Sequence, residues 1–347
     1  VAAQQVGPFT EVKAFTEVKA FTEVKRYDMS SNFDLVTLGD LVADLVVPIQ
    51  KLPLRPQEHQ PAEDIVVEAG GTGNTLVLAV RLGLRTKALG TVGDDWYGRQ
   101  VLAMLAEEGV DVSSVVVPPG SRTATAIVLV DEAGQHVFVG RGGTGPQQPY
   151  DPAWAPFIRQ ARAIFLAGYA MNPRYTFSPA GVLVCLELAR RYQVPIFFDL
   201  GPAAFLIGRS DIEAVIAQTT VFLATQEETN AWFGLSDPLA AAHYILEQTP
   251  ARLAIIKLGA EGCLLATAET HVAVPGFSVP VRDTAGAGDA FAAACVYGYL
   301  AGWSLREIGL LANAVGAAAV ARLGTGTMLP RRQDVVELLA QHGHSLL

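Results

Sequence analysis

Between Arg282 and Phe291 the chain reads RDTAGAGDAF and then runs on through alanines and other small apolar residues to Gly302. These residue types could do chemistry on an anion. A helix that opens on Gly286, Ala287 and Gly288 exposes backbone N–H groups with no partner inside the helix, and its dipole adds about half a positive charge at that end. Neither glycine carries a side chain that would hold a phosphate away from those groups. Asp289, on the first turn, then stands within reach of whatever attacks the phosphate and can accept a hydroxyl proton late in the transfer. The same residues also suit a tight turn whose acid merely stabilises the dipole, and on this stretch alone the two readings stand level.

The surrounding elements have to position such a site. From Phe33 onward, short apolar runs such as DLVTLGD, KALGTVG, AIFLAG, PIFFDL, TVFLA and LAIIKLG alternate with helical patterns. Continuous apolar strands with helices between them predict an α/β fold: a doubly wound, mostly parallel sheet covered by helices on both faces. Two regions break the rhythm, at about 45–69 and 121–143. The second reads as a hairpin turned at Asp131 to Gly134. Together they predict a small β-sheet lid inserted in the main unit. Two adjacent helices, 286–302 and 304–322, are rich enough in Ala and Gly to lie close on the sheet, and the amphipathic RRQDVVELLAQH closes the chain. Ligands of open α/β sheets bind beyond the carboxyl ends of the strands. The loops that matter are therefore Gly39–Asp40, Gly70–Asn74, Gly90–Asp95, Ala167–Asn172, Asp199–Pro202, Ala224–Glu228 and Lys257–Gly262.

Composition bounds the partners. The 347 residues are half hydrophobic and carry a net charge of −9, so bulk electrostatics draws the surface toward neither nucleic acid nor an anionic membrane. The most apolar stretch, around 290–301, is interrupted by Gly298 and falls short of the ~18 residues a spanning helix needs. Cys185, Cys263 and Cys295 sit in apolar contexts without metal-ligand spacing and read as reduced core residues of a cytoplasmic protein. Three successive hexads, FTEVKA, FTEVKA and FTEVKR, fill 9–26, too short for a solenoid. Residues 1–28 read as a non-native or flexible extension without a catalytic role, with Met29 the natural start and 29–347 the folded unit. The sequence holds no G-x-x-x-x-G-K-[ST], no H-E-x-x-H and no G-x-S-x-G, which argues against P-loop, zinc-protease and α/β-hydrolase chemistry. At GGTGNTL a dinucleotide fingerprint would need glycine where Leu76 stands.

DTAGAGDAF resembles the C-terminal signature of the ribokinase-like, or PfkB, family of carbohydrate kinases, and the resemblance runs from about Phe33 to Pro330. It implies ATP- and Mg2+-dependent phosphorylation of a sugar hydroxyl, with Asp289 as the base and the N–H groups of Gly286, Ala287 and Gly288 holding the transferring phosphate. It also implies a monovalent-cation site, for K+, at Asp283 and Thr284. EAGGTGNT resembles the family's sugar-binding helix start, which puts Gly70, Gly71 and Asn74 on the acceptor although Ala69 replaces a glycine; Asn74 alone would also suit a helix cap. GDLVADL resembles the first strand and its sugar-binding acid, Asp44, with Val42 where some ribose-specific relatives carry Asn. Arg141, between lid and sheet, either reaches an acidic or phosphorylated substrate or stands in solvent.

KLGAEGCLL resembles the nucleotide loop, which assigns Lys257, Gly259 and Gly262 to ATP, the glycines by close backbone approach. LLANAVGAAAVARLGTG resembles the segment flanking adenine and puts Asn313 against it. At ATQEETN relatives carry Asn-x-x-Glu, which orders magnesium and phosphate through water; here Thr225 stands in place of the Asn and Glu228 is kept. FFDLGP lacks the D-x-N-x-R of many fructokinase-like relatives. The resemblance further implies a homodimer paired through the lid. Two alternatives stay open: a nucleoside kinase of the same fold, and a non-catalytic ligand-binding relative.

Overall fold

The computed structural model describes residues 33–62, 64–202 and 206–347; the FTEVKA repeats and Met29 lie outside them. Its strands, in chain order, are β1 (Phe33–Leu38), β2 (Leu41–Pro48), β3 (Val66–Gly71), β4 (Thr86–Leu89), β5 (Ala124–Val130), β6 (His136–Arg141), β7 (Ala161–Ala167), β8 (Ile196–Asp199), β9 (Val221–Thr225), β10 (Leu253–Lys257), β11 (Cys263–Ala266) and β12 (His271–Val274). The helices are α1 (Thr72–Leu82), α2 (Trp96–Glu107), α3 (Ala155–Gln160), α4 (Pro179–Arg191), α5 (Arg209–Ile216), α6 (Gln226–Phe233), α7 (Pro238–Gln248), α8 (Ala287–Leu300), α9 (Leu305–Val320) and α10 (Arg332–Gln341).

Eight strands form the main sheet in the order β12-β11-β10-β9-β8-β7-β1-β4, parallel from β4 to β10 with the last two antiparallel at one edge. Alternate residues of each central strand enter different cores. Leu35, Phe165, Phe197, Leu223 and Ile255 pack with α1, α8 and α9, while Val36, Ile164, Phe198, Phe222 and Ile256 pack with α4, α5 and α7. Both faces are dry, so these strands read as unbroken apolar runs. The small residues of α8 and α9 follow from close approach: a Cβ on Gly298 would stand 2.9 Å from Ile308, and one on Gly309 would stand 2.7 Å from Leu265 of the sheet.

The second sheet runs β3-β2-β5-β6. One of its faces sets Val46, Val128 and Val130 on Ala285, immediately before α8, so the lid rests on the segment that opens the glycine-rich helix. The opposite face leaves Ile65, Ile127, Val137 and Val139 exposed. All three cysteines are free and buried. Among the described residues, no helix is long and apolar enough to cross a membrane.

Candidate active site

Strand register brings the predicted loops to one rim. Ala167 pairs with Asp199, Asp199 with Leu223, and Thr225 with Lys257, so the carboxyl ends of β7 to β10 lie side by side. Helix α8 points its N-terminus at this rim. Its cap, Gly286, has φ +70°, a left-handed conformation that disfavours a side chain, and no side chain among the described residues caps the helix. The Lys257 ammonium lies 3.6 Å from where a Gly288 Cβ would be. The Gly288 N–H group, the helix dipole and one cation therefore meet at this helix end, where the Ala287 N–H donates to the Thr284 carbonyl at 3.4 Å.

Asp289 is half-buried, and its Oδ2 accepts a 2.9 Å hydrogen bond from Asn74 Nδ2. Burial, reinforced by the negative charge of Asp199, pushes its carboxyl up to about 7 against the opposing pull of Asn74 and Lys257. Asn74 has little freedom, since its Oδ1 accepts the Gly326 N–H at 2.7 Å. Asp44, on β2, is buried, and a Cβ on Gly70 would stand 2.1 Å from its carboxyl group, so only glycine fits beneath it. Burial raises Asp44 to about 7; Thr325 Oγ1, donating at 2.9 Å, opposes the rise, while Asp289, Glu68 and Asp283 add to it. Close by, Thr72 at the start of α1 is buried, and its hydroxyl has no partner among the described residues.

Beside Gly288, Lys257 Nζ donates to both Asp199 oxygens, at 2.7 and 2.8 Å. Burial works against the lysine's charge, but Asp199 and Glu228 outweigh it and raise its pKa. Thr225 and Glu228 form a capping box at the start of α6: Thr225 Oγ1 accepts the Glu228 N–H, and Glu228 Oε2 accepts the Thr225 N–H at 2.8 Å. Thr therefore keeps the capping task an Asn would perform. Burial, with Asp199 adding, raises the Glu228 carboxyl despite Lys257.

Several of the expected site residues have other partners in the structure. Arg141 is not on the face that carries Asp44: Asp44 lines up with Ala126 and Gly140, whereas Arg141 lines up with Thr125 and Ala43, one residue out of phase. It points to the other face of the sheet, donates to the Thr123 carbonyl at 3.0 Å, and lies where its charge helps hold Asp95 low. Asn313 donates its amide to the Val274 and Pro275 carbonyls at 2.9 and 3.0 Å and so clips the end of β12 to α9, rather than offering donors to a base. Gly262 serves internal packing, since a Cβ there would lie 2.1 Å from the Val274 carbonyl; around Gly259, by contrast, there is open space. Asp283 and Thr284 bond to different partners. Asp283 is buried and accepts the Ala285 and Gly324 N–H groups, while exposed Thr284 bonds His136 of the lid.

Sequence reading placed Asp199 and Tyr169 only within strand-end loops, with no role for either, and did not single out Glu68 or Thr325. Only Asp199 carried a signal, as the acid ending FFD at a strand terminus. Tyr169 follows β7 with its ring partly open to solvent, and its phenol is raised by burial and then by Asp289, Glu228 and Asp44.

Residues 32–332 match the model of the pfkB family carbohydrate kinases. The chain belongs to that family. The kinase is 32% identical over 254 residues to an uncharacterized sugar kinase of Archaeoglobus fulgidus, covering 73% of this chain and 98% of the relative. It is 26% identical over 281 residues to a nucleoside kinase of Methanothermobacter thermautotrophicus, covering 80% and 86% of the two chains. The Arabidopsis thaliana ribokinase solved with ribose and ATP superposes on the kinase with a TM-score of 0.74 at 21% identity, over 88% of this chain and 98% of that one. The fold is thus ribokinase-like, with the smaller sheet as its lid.

Proposed function

We propose that the kinase transfers the terminal phosphoryl of ATP to a hydroxyl of a sugar or sugar-like alcohol, with Asp289 as the general base. The observation that carries this reading is the 2.9 Å bond between Asn74 and Asp289, which joins two motifs 215 residues apart in sequence. Asn74 and Asp44 lie on the side where an acceptor would sit, and the α8 N-terminus and Lys257 on the side where phosphates would. Asp289 lies between them. Raised to about 7, its carboxyl is suited to taking a proton near neutral pH. The α8 N–H groups and the Lys257 ammonium oppose the charge on the transferring group in fixed positions.

The phosphate side fits a nucleotide: Gly288 leaves the helix end open beside a cation, and the space around Gly259 is unfilled. Glu228, near Lys257 and Asp199, is the residue that would engage Mg2+ through water, an ion whose contribution is to offset phosphate charge. The lid face over Ala285 would keep water from the transferring phosphoryl. Ile65, Ile127, Val137 and Val139 on its outer face suit pairing with a second lid in a homodimer.

A panel of sugars and nucleosides, assayed for acceptor-dependent ADP release, tests the reading. Release with at least one neutral polyol or nucleoside, lost in Asp289→Asn, is the expected result; ligand binding in thermal shift with no ADP release from any acceptor overturns it. Tyr169, an aromatic ring open at the rim, favours a nucleoside as the second candidate, since its face can stack on a base.

A further inference from the structure

The segment between α9 and α10 reads GTGTMLP from Gly324 to Pro330; its first three residues end the stretch that resembles the adenine-flanking segment, and its two threonines have been given no role. Four consecutive residues of it are held by four side chains from four places in the fold. Gly324 N–H donates to Asp283 Oδ2 at 2.9 Å, ahead of α8. Thr325 Oγ1 donates to Asp44 Oδ2 at 2.9 Å, on lid strand β2. Gly326 N–H donates to Asn74 Oδ1 at 2.7 Å, on α1. Thr327 donates its N–H and its hydroxyl to the two oxygens of Glu68 at 2.7 and 2.8 Å, on lid strand β3. Arg81, itself paired to Glu108, closes the far end by donating to the Thr327, Leu329 and Pro330 carbonyls.

The backbone is committed to this path. Gly324 and Gly326 have φ of +94° and +58°, and a Cβ on Gly326 would stand 2.5 Å from Glu68 Oε2 and 2.8 Å from the Ala69 nitrogen. The segment is therefore a strap, threaded between the lid strands and the α8 loop. It meets both acceptor-side residues of the reaction proposed above. The Gly326 N–H fixes which way the Asn74 amide points, and hence that its NH2 faces Asp289. The Thr325 hydroxyl occupies one oxygen of Asp44 and leaves the other for a ligand.

We propose that Thr325 is a positioning residue for acceptor binding, its hydroxyl holding the buried Asp44 carboxylate in the orientation that receives the acceptor's hydroxyls. The inference rests on Asp44 being an acceptor ligand. Where a buried carboxylate loses a hydroxyl donor, the group that depended on its orientation loses most. The effect therefore falls on acceptor binding, not on the nucleotide or the chemical step.

The test uses the full chain with the best acceptor from the panel and compares Thr325→Val, Thr325→Ala and Thr325→Ser. Loss of a hydrogen bond to a charged group predicts an acceptor KM raised about tenfold or more in the Val and Ala variants. KM for ATP and kcat should stay within about twofold, and the Ser variant, which restores the hydroxyl, should return the acceptor KM toward the parent value. Should Thr325→Val not fold, the Ala and Ser variants decide alone. An acceptor KM unchanged in Thr325→Ala, or KM values for ATP and acceptor rising together without rescue by Ser, overturns the proposal. Asp44→Asn separates the two levels of argument. If that variant leaves acceptor KM unmoved, the acceptor assignment itself fails; if it raises KM while Thr325→Ala does not, the strap alone is refuted.

Discussion

Asp289→Asn should make the protein more stable while nearly abolishing turnover. The Asn74 amide can still donate, now to the carbonyl oxygen of the substituted side chain, so the local geometry is kept; what disappears is a site that can accept a proton. Loss of a positioned base costs about 10²–10⁴ in rate. Stability moves the other way. The carboxyl stands at about 7 in the folded chain against an ordinary 3.8. Between those values the folded state holds a proton that the unfolded state has released, so stability contributed by this group is full below pH 4 and is lost as pH rises through 7. At about 1.4 kcal/mol per pH unit the full gap corresponds to about 4 kcal/mol, and because the residue is only half-buried, screening reduces this to about 1–2 kcal/mol. A non-ionisable Asn escapes that loss. Its advantage over the parent should be near zero at pH 4, grow through pH 7 and level off above it, appearing at pH 8 as a rise in Tm of a few degrees. Thermal denaturation at pH 4, 6 and 8 beside an ADP-release assay reads both effects. A Tm difference that does not change with pH refutes the burial argument, and turnover within tenfold of the parent refutes the base.

Lys257→Met leaves the Asp199 carboxylate, with only 6% of its side chain exposed, buried without its partner. Urea unfolding should show a loss of about 3–5 kcal/mol. Adding Asp199→Asn should recover most of that stability but not the turnover, because the cation beside Gly288 is still missing; an active double variant would remove Lys257 from the phosphate side. Gly70→Ala places a methyl group into the Asp44 carboxyl, 2.1 Å away before any relaxation. Acceptor KM should rise at least about tenfold while KM for ATP stays near the parent value, and equal KM values for acceptor in both proteins would show that nothing binds over Gly70. Steady-state kinetics across pH 5–9 should show an acid limb near 7 in kcat/KM. Asp289 and Asp44 are both raised to about 7 and interact, so the limb belongs to the pair. An activity flat down to pH 5 would contradict both shifts.

What could be read in advance follows from whether the cause is local in sequence. Period and apolarity are local, so the sheet buried on both faces and the lid hairpin at Asp131–Gly134 were legible, and so was the glycine-rich start of α8 at Gly286–Asp289, although spacing alone left it level between a tight turn and an anion site. Pairings between distant residues were not. Asn74 with Asp289, Thr325 with Asp44 and Lys257 with Asp199 each depend on which strands and loops become neighbours, and no residue carries that information by type. Arg141 shows how small the missing piece can be. Its strand was foreseen, but its face depends on the parity of the β2–β5 and β5–β6 registers, and one residue of phase separates the Asp44 face from Asp95. Asn313 fails for a related reason: an amide on a small-residue helix serves whichever carbonyls the fold delivers, here those at the end of β12. Thr225 is the opposite case. Thr-x-x-Glu is itself a capping box, so the exchange of Asn for Thr preserves the start of α6. With its Oε2 tied to the cap, Glu228 stays next to Lys257 and Asp199. What the exchange changes is the donor set at that corner, since a hydroxyl engaged as a cap has replaced an amide. Altered metal dependence, with the fold kept, is the outcome this exchange predicts for a Mg2+ titration of ADP release.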